Sequence, residues 1–144
     1  MVYVVSGYWS CFHQGHKEYV KSVIGLMNKQ DRLIVIVANP LQFQQKYVDF
    51  IPPIWKICEP IYDYLDTFDI DYTVKVALDR DMTVRETLRK IVKDNPNDSV
   101  IFCKDGQEYN KENLPEKDIK GISFAFMDNP KIANASEILN IKKR

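Results

Sequence analysis

A chain of 144 residues, 45% of them hydrophobic, buries one core of ordinary size, so a single domain over residues 1–144 is expected. Lys plus Arg number 20 and Asp plus Glu number 20, and this balance argues against a nucleic-acid partner, whose binding needs an excess of cations, while leaving room for one nucleotide in a locally positive pocket. No apolar run approaches the roughly 20 residues that span a bilayer, so no membrane partner is expected, and the start of the chain lacks the basic-then-apolar pattern of a signal peptide. The three cysteines, Cys11, Cys58 and Cys103, are odd in number and without a CxxC pair, which suits a reducing, cytoplasmic setting.

In chain order, Val2-Tyr3-Val4-Val5 is short, β-branched and aromatic, and reads as a buried strand ended by Ser6-Gly7. Val20, Val23, Ile24 and Met27 then fall on one face of a helix running from Gln14 to about Asn28. Leu33 to Ala38 is a continuous apolar run, as a central parallel strand requires, and Asn39-Pro40 ends it. Residues Gln42 to Pro53 lack periodicity and read as loop. Ile54 to Leu65 reads as a helix that Pro60 should kink or break.

Tyr72 to Leu78 reads as a third strand, and Thr83-Val84-Arg85-Glu86 as a capping box ahead of a helix with Val84, Leu88, Ile91 and Val92 on its apolar face. Val100 to Cys103 and Gly121 to Phe126 are the fourth and fifth strands, a short helix from Asn134 follows, and the basic tail Lys142-Lys143-Arg144 is expected to be solvated. Strands alternating with helices at this spacing predict an α/β fold: a Rossmann-like, doubly wound, five-stranded parallel sheet with helices on both faces. Ligands of such sheets bind beyond the carboxyl ends of the strands, where strand order reverses. The polar stretches Ser6–His16, Asn39–Lys46 and Lys104-Asp105-Gly106 all follow strands and so collect at that edge.

The chain is organised around Ser6-Gly7-Tyr8-Trp9-Ser10-Cys11-Phe12-His13-Gln14-Gly15-His16. A strand, a turn with small residues and a helix N-terminus form a place for phosphate, because the free N–H groups and the helix dipole favour an anion. His13 and His16 are the only histidines. As a metal pair with Cys11 they lack a carboxylate or second cysteine to complete a tetrahedron, so no metal site is expected. Asp79 and Asp81 look like a metal pair as well, but their place before the capping box favours a structural role, and Trp9 and Trp55 read mainly as packing or interface residues.

His13-Gln14-Gly15-His16, directly after a first strand, resembles the HxGH signature of the cytidylyltransferase-like nucleotidyltransferase superfamily. The likeness extends from Gly7-Tyr8 through Phe12 to His16, over Val37-Ala38-Asn39 with Gln42, Gln45 and Lys46, over Leu78 to Val84, and over Phe102 to Gly106 with Asn113-Leu114-Pro115-Glu116; Lys131 to Ile138 stands where the small glycerol-phosphate and sugar-phosphate cytidylyltransferases carry a serine-rich helix start. The resemblance implies transfer of CMP from CTP to a phosphorylated sugar or polyol, with Mg²⁺ and release of pyrophosphate. ATP as donor, or a nucleotide-binding module of this fold with little turnover, are the alternatives.

By the same resemblance His13 and His16 are catalytic, with Lys46 as a further cation. Ser6, Gly7, Tyr8, Phe12, Gly15, Asp105, Gly106 and Ser136 bind the nucleotide, and Lys21 and Asn39 bind the acceptor substrate. Small members of the family are often homodimers, and Trp55, Tyr62 and Tyr64 would suit an interface. The chain departs from the pattern in having one glycine in Lys104 to Tyr109 and one hydroxyl in Asn134-Ala135-Ser136, and in lacking the arginine that commonly follows.

Overall fold

The computed structural model describes residues 1–106, 108–128 and 139–144. Five strands, β1 (Val2–Gly7), β2 (Arg32–Val37), β3 (Asp71–Val76), β4 (Val100–Asp105) and β5 (Ile122–Met127), form one parallel sheet in the order β3-β2-β1-β4-β5. Four helices connect them: α1 (Gln14–Ile24), α2 (Pro40–Lys46), α3 (Ile54–Leu65) and α4 (Arg85–Asp94). This is the doubly wound, Rossmann-like architecture expected from the sequence, with the order reversing between β1 and β4.

Period-two alternation sorts the central strands onto two faces. Tyr3, Val5, Leu33, Val35 and Val37 pack with Val20 and Val23 of α1, Phe43 of α2, and Ile57, Ile61 and Leu65 of α3. Val2, Val4, Ile34, Ile36, Val100 and Phe102 pack on the other side with Leu88 and Ile91 of α4 and with Leu114 and Ile119. Strands covered on both faces need apolar residues at every position, which is why β2 reads as a continuous apolar run. The edge strand β3 is exposed at alternate positions.

Three sequence expectations are corrected. The stretch read as loop from Gln42 begins with α2: Asn39 accepts from the Gln42 backbone N–H at 2.9 Å and Gln42 Oε1 accepts from the Asn39 N–H at 3.0 Å. Pro40 stands just inside this capping box, where its missing N–H costs nothing, so the residues that end β2 also start the helix. Pro60 does not break α3, which runs from Ile54 to Leu65 with the proline on its exposed face.

The third correction concerns α4. Val84 stands at its N-cap with no side-chain bond, and the free N–H groups of Glu86 and Thr87 turn instead to the carboxylate of Asp79, at 2.7 and 3.2 Å. The Thr87 hydroxyl also donates to Asp79, and Asp81 holds Thr83 through its N–H at 3.0 Å and its hydroxyl at 2.6 Å. Both aspartates therefore carry the structural role favoured from sequence, as caps rather than metal ligands.

The basic tail is solvated as expected, Lys142, Lys143 and Arg144 all being exposed, but its backbone is held. Val48 N–H donates to the Lys142 carbonyl and Arg144 N–H to the Lys46 carbonyl, each at 2.8 Å, while Ile141 packs on the core. The helix expected from Asn134 lies outside the described residues.

Asp79 is only 2% exposed and serves three donors, so Asp79→Ala should lower the unfolding free energy by about 2 kcal/mol. The exposed Asp81→Ala should cost less than about 1 kcal/mol, both read from urea denaturation.

Candidate functional site

The turn after β1 is set by Trp9. Its φ of 53° is left-handed, which turns the indole back over Gly7, where it donates to the Ile36 carbonyl at 2.9 Å. A Cβ on residue 7 would lie 3.0 Å from that indole, so only glycine fits beneath it. Trp9 stacks on Tyr19 of α1 at 6.3 Å between centroids, and the Tyr19 hydroxyl donates to the Cys103 carbonyl of β4. α1 is thereby fixed with its N-terminus over the ends of β1 and β4.

His13 is the N-cap of α1, and its Nδ1 accepts from the His16 backbone N–H at 3.3 Å. An accepting Nδ1 carries no proton, so the proton of neutral His13 sits on Nε2. The His16 ring stacks on His13 with centroids 3.8 Å apart and is backed by Trp9 at 5.1 Å and Phe12 at 5.9 Å.

Burial first, then the His13 charge and Lys46, push the His16 pKa down to about 3, with the Cys11 carbonyl offsetting only part of this. His13 is lowered too, by burial. At pH 7 both imidazoles are neutral. His16 Nδ1 is buried and has no hydrogen-bond partner among the described residues.

Lys46 ends α2 with its Nζ 4.1 Å from the centre of the Tyr8 ring and 5.3 Å from that of Tyr47. Burial lowers its pKa, as does Lys143 of the docked tail, while Glu108 acts the other way. Tyr8 is itself raised to about 12, chiefly by burial, and packs edge-on to Phe43 and Tyr47, so it works as a neutral wall beneath the ammonium. The charge of Lys46 is felt at both His16 and Lys104.

Of the other expected residues, Ser6 and Gly7 end β1 and Gly15 lies in the first turn of α1. Phe12 supports the His16 ring and packs on Tyr64. Asp105 ends β4, its carbonyl accepting from the Tyr109 N–H at 2.9 Å. Gly106 donates to the Met127 carbonyl at 2.8 Å, with no room for a Cβ against Phe126 and Met127, so its place is explained by β5. Ser136 lies outside the described residues.

Two substrate assignments are corrected. Lys21 is exposed in the last turn of α1, two turns from His13 and at the other end of the helix. Asn39 Nδ2 donates to the carbonyls of Ala77 at 3.0 Å and Asp79 at 2.8 Å, so with its cap bond the amide ties β2 to the segment ahead of α4. Of the three aromatics expected at an interface, Tyr64 is the least open. It is half-buried on Phe12 and donates to the Lys17 carbonyl at 3.2 Å, whereas Trp55 is 62% exposed and Tyr62 is exposed as well.

Lys104, Tyr109 and Glu116 were missed. Strand alternation held the signal for the first, because Lys104 follows Phe102 by two and shares its face. For the resemblance-implied Mg²⁺, no three His, Cys, Asp or Glu side chains come together among the described residues. No helix among the described residues is long and apolar enough to cross a membrane. Compared with family models and with curated protein sequences, the chain matches none.

A depressed histidine is a proton debt that the unfolded chain does not carry. Below the unfolded value near 6.5 the unfolded state binds the proton and the folded state does not, until pH nears 3. The stability due to His16 is thus complete above 6.5 and declines as pH falls toward 3, with a slope approaching about 1.4 kcal/mol per pH unit. Urea denaturation between pH 7 and 4 should show this slope, and His16→Leu should flatten it.

Proposed function

We propose that the chain is a nucleotidyltransferase that moves CMP from CTP to a phosphorylated sugar or polyol and releases pyrophosphate. The observation that carries this reading is the pair of neutral, stacked imidazoles at the N-terminus of α1, at the point of strand-order reversal and within reach of the Lys46 charge. A phosphate oxygen of the acceptor forms a bond to the α-phosphorus, the bond from that phosphorus to the bridging oxygen breaks, and pyrophosphate leaves. Such a transfer needs no protein nucleophile; it needs alignment and donors that meet charge as it grows on the equatorial oxygens.

His13 Nε2–H is the donor this chain holds ready. His16, stacked beneath it with a nitrogen unsatisfied, is the second contact to the α-phosphate. Lys46 supplies the positive charge, and its partial burial strengthens that charge's interaction with an anion. Phosphate contacts of this kind do not read a base, so ATP as donor is the competing reading within the class, and a nucleotide-binding module with little turnover is the competing reading outside it. The same proposal includes a homodimer through the exposed Trp55 and Tyr62, and a reducing, cytoplasmic setting for the free Cys11, Cys58 and Cys103.

Pyrophosphate release from CTP, with Mg²⁺ and a panel of sugar and polyol phosphates, is the test. Turnover is expected with at least one acceptor. His13→Ala and His16→Ala should each lower kcat by about 10² to 10³, as the loss of a transition-state donor does. Calorimetric binding of CTP with no release for any acceptor would favour the module, and release from ATP alone would move the assignment to adenylyl transfer.

A further inference from the structure

We propose that Lys104, at the carboxyl end of β4 where the sheet order reverses, is a second cation of the phosphate site, and that it and Lys46 together take a phosphoryl-bearing anion. The phosphate chemistry follows from the site. That the phosphate belongs to a nucleotide or to its acceptor rests on the nucleotidyltransferase reading.

Lys104 is the penultimate residue of β4, two positions beyond Phe102, which pairs with Val4 of β1. It therefore stands at the carboxyl end of the strand pair across which the sheet order reverses, the place where ligands of such sheets bind. Its Nζ lies 4.4 Å from the centre of the Tyr109 ring and 5.5 Å from that of Phe102. The residue keeps part of its surface open. No carboxylate lies within ion-pair distance of it among the described residues.

The charges around Lys104 are Glu116, Glu108 and Asp105, which attract it, and Lys46, which repels it. None of the attractions makes up for lost water: burial is the largest influence and lowers the lysine's pKa. Glu116, the strongest of the three, is 5% exposed, and its Oε1 is turned to the Val84 N–H at 3.3 Å. Two ammonium groups, each short of solvent and each weakening the other, are an arrangement that an anion relieves. A phosphate dianion between them restores both and adds charge-assisted hydrogen bonds. Aromatic faces hold the lysine in place while the anion is away.

The rival reading makes Lys104 a clamp on the Tyr109 ring, important to folding and indifferent to phosphate. Calorimetry at pH 7 with tripolyphosphate, pyrophosphate and a simple phosphate monoester such as glycerol phosphate separates the two. Lys104→Met keeps the length of the chain and its packing on Tyr109 but removes the charge. It should weaken anion binding by about ten-fold or more while leaving the thermal midpoint unchanged or higher, and Lys104→Arg should recover most of the affinity.

Weakening confined to tripolyphosphate and pyrophosphate would assign Lys104 to the nucleotide's phosphate chain. Weakening confined to the monoester would assign it to the acceptor. In the wild-type protein, NMR of the Lys104 side chain should show its titration moving to higher pH when tripolyphosphate is added, a readout that needs no variant. Unchanged affinity in Lys104→Met, or a Lys104 titration indifferent to all three anions, overturns the proposal. If CTP turnover still depends on His13 and His16 in that case, the nucleotidyltransferase reading survives without Lys104. If the wild type binds none of the anions, both readings fall.

Discussion

Everything at the end of β1 depends on one side chain folding back. Trp9 takes a left-handed φ, tucks its indole over Gly7 and donates to the Ile36 carbonyl of β2. The strain of a bulky residue in that conformation is offset by the buried hydrogen bond and by contacts with Tyr19, Phe12 and His16. That packing fixes the start of α1, and with it the position of His13 as N-cap and of His16 one turn along. Loss of the indole would release the helix from the sheet and take the histidine stack with it.

The electrostatic state of the pocket follows from the same enclosure. Apolar walls made by Tyr8, Trp9, Phe12 and Tyr109 withhold water, so the histidines stay neutral and the lysines hold their protons less firmly than in solvent. Neutral imidazoles donate without adding fixed charge, while two lysines short of counter-ions supply attraction. The docked tail adds Lys143 to the field around Lys46, so a stretch that reads as a solvated end tunes the site through the Tyr47 bridge. The caps made by Asp79 and Asn39 meanwhile hold the segment between β3 and α4 against β2.

Hydrophobic period and run length made the fold legible. Five apolar runs and the 3.6-residue stripes gave every strand and three of the four helices, because burial on both sheet faces leaves little freedom at those positions. α2 is hidden by its length: seven residues carry less than two full turns of periodicity, and Asn39-Pro40 reads in sequence only as the end of a strand. The capping of α4 is hidden because the acceptor for its free N–H groups is Asp79, six residues before the helix and outside any local box.

In the site, His13 and His16 were legible because helix-start chemistry is local in sequence. Lys21 and Asn39 misled for opposite reasons: the first is on the correct helix but at its far end, and the second is at the correct edge with its amide already committed. Lys104, Glu116 and the docked tail depend on contacts between distant segments, which spacing does not report.

The central claim is that the stacked imidazoles are neutral phosphate donors, and ¹H–¹⁵N spectra of the two rings at pH 7, with and without CTP and Mg²⁺, test it most directly. Both histidines should appear neutral in the free protein, with the His13 proton on Nε2, and the His13 Nε2 and His16 ring nitrogens should shift as CTP saturates. Imidazoles that titrate near 6.5, or resonances that stay still at saturating CTP, would contradict the account.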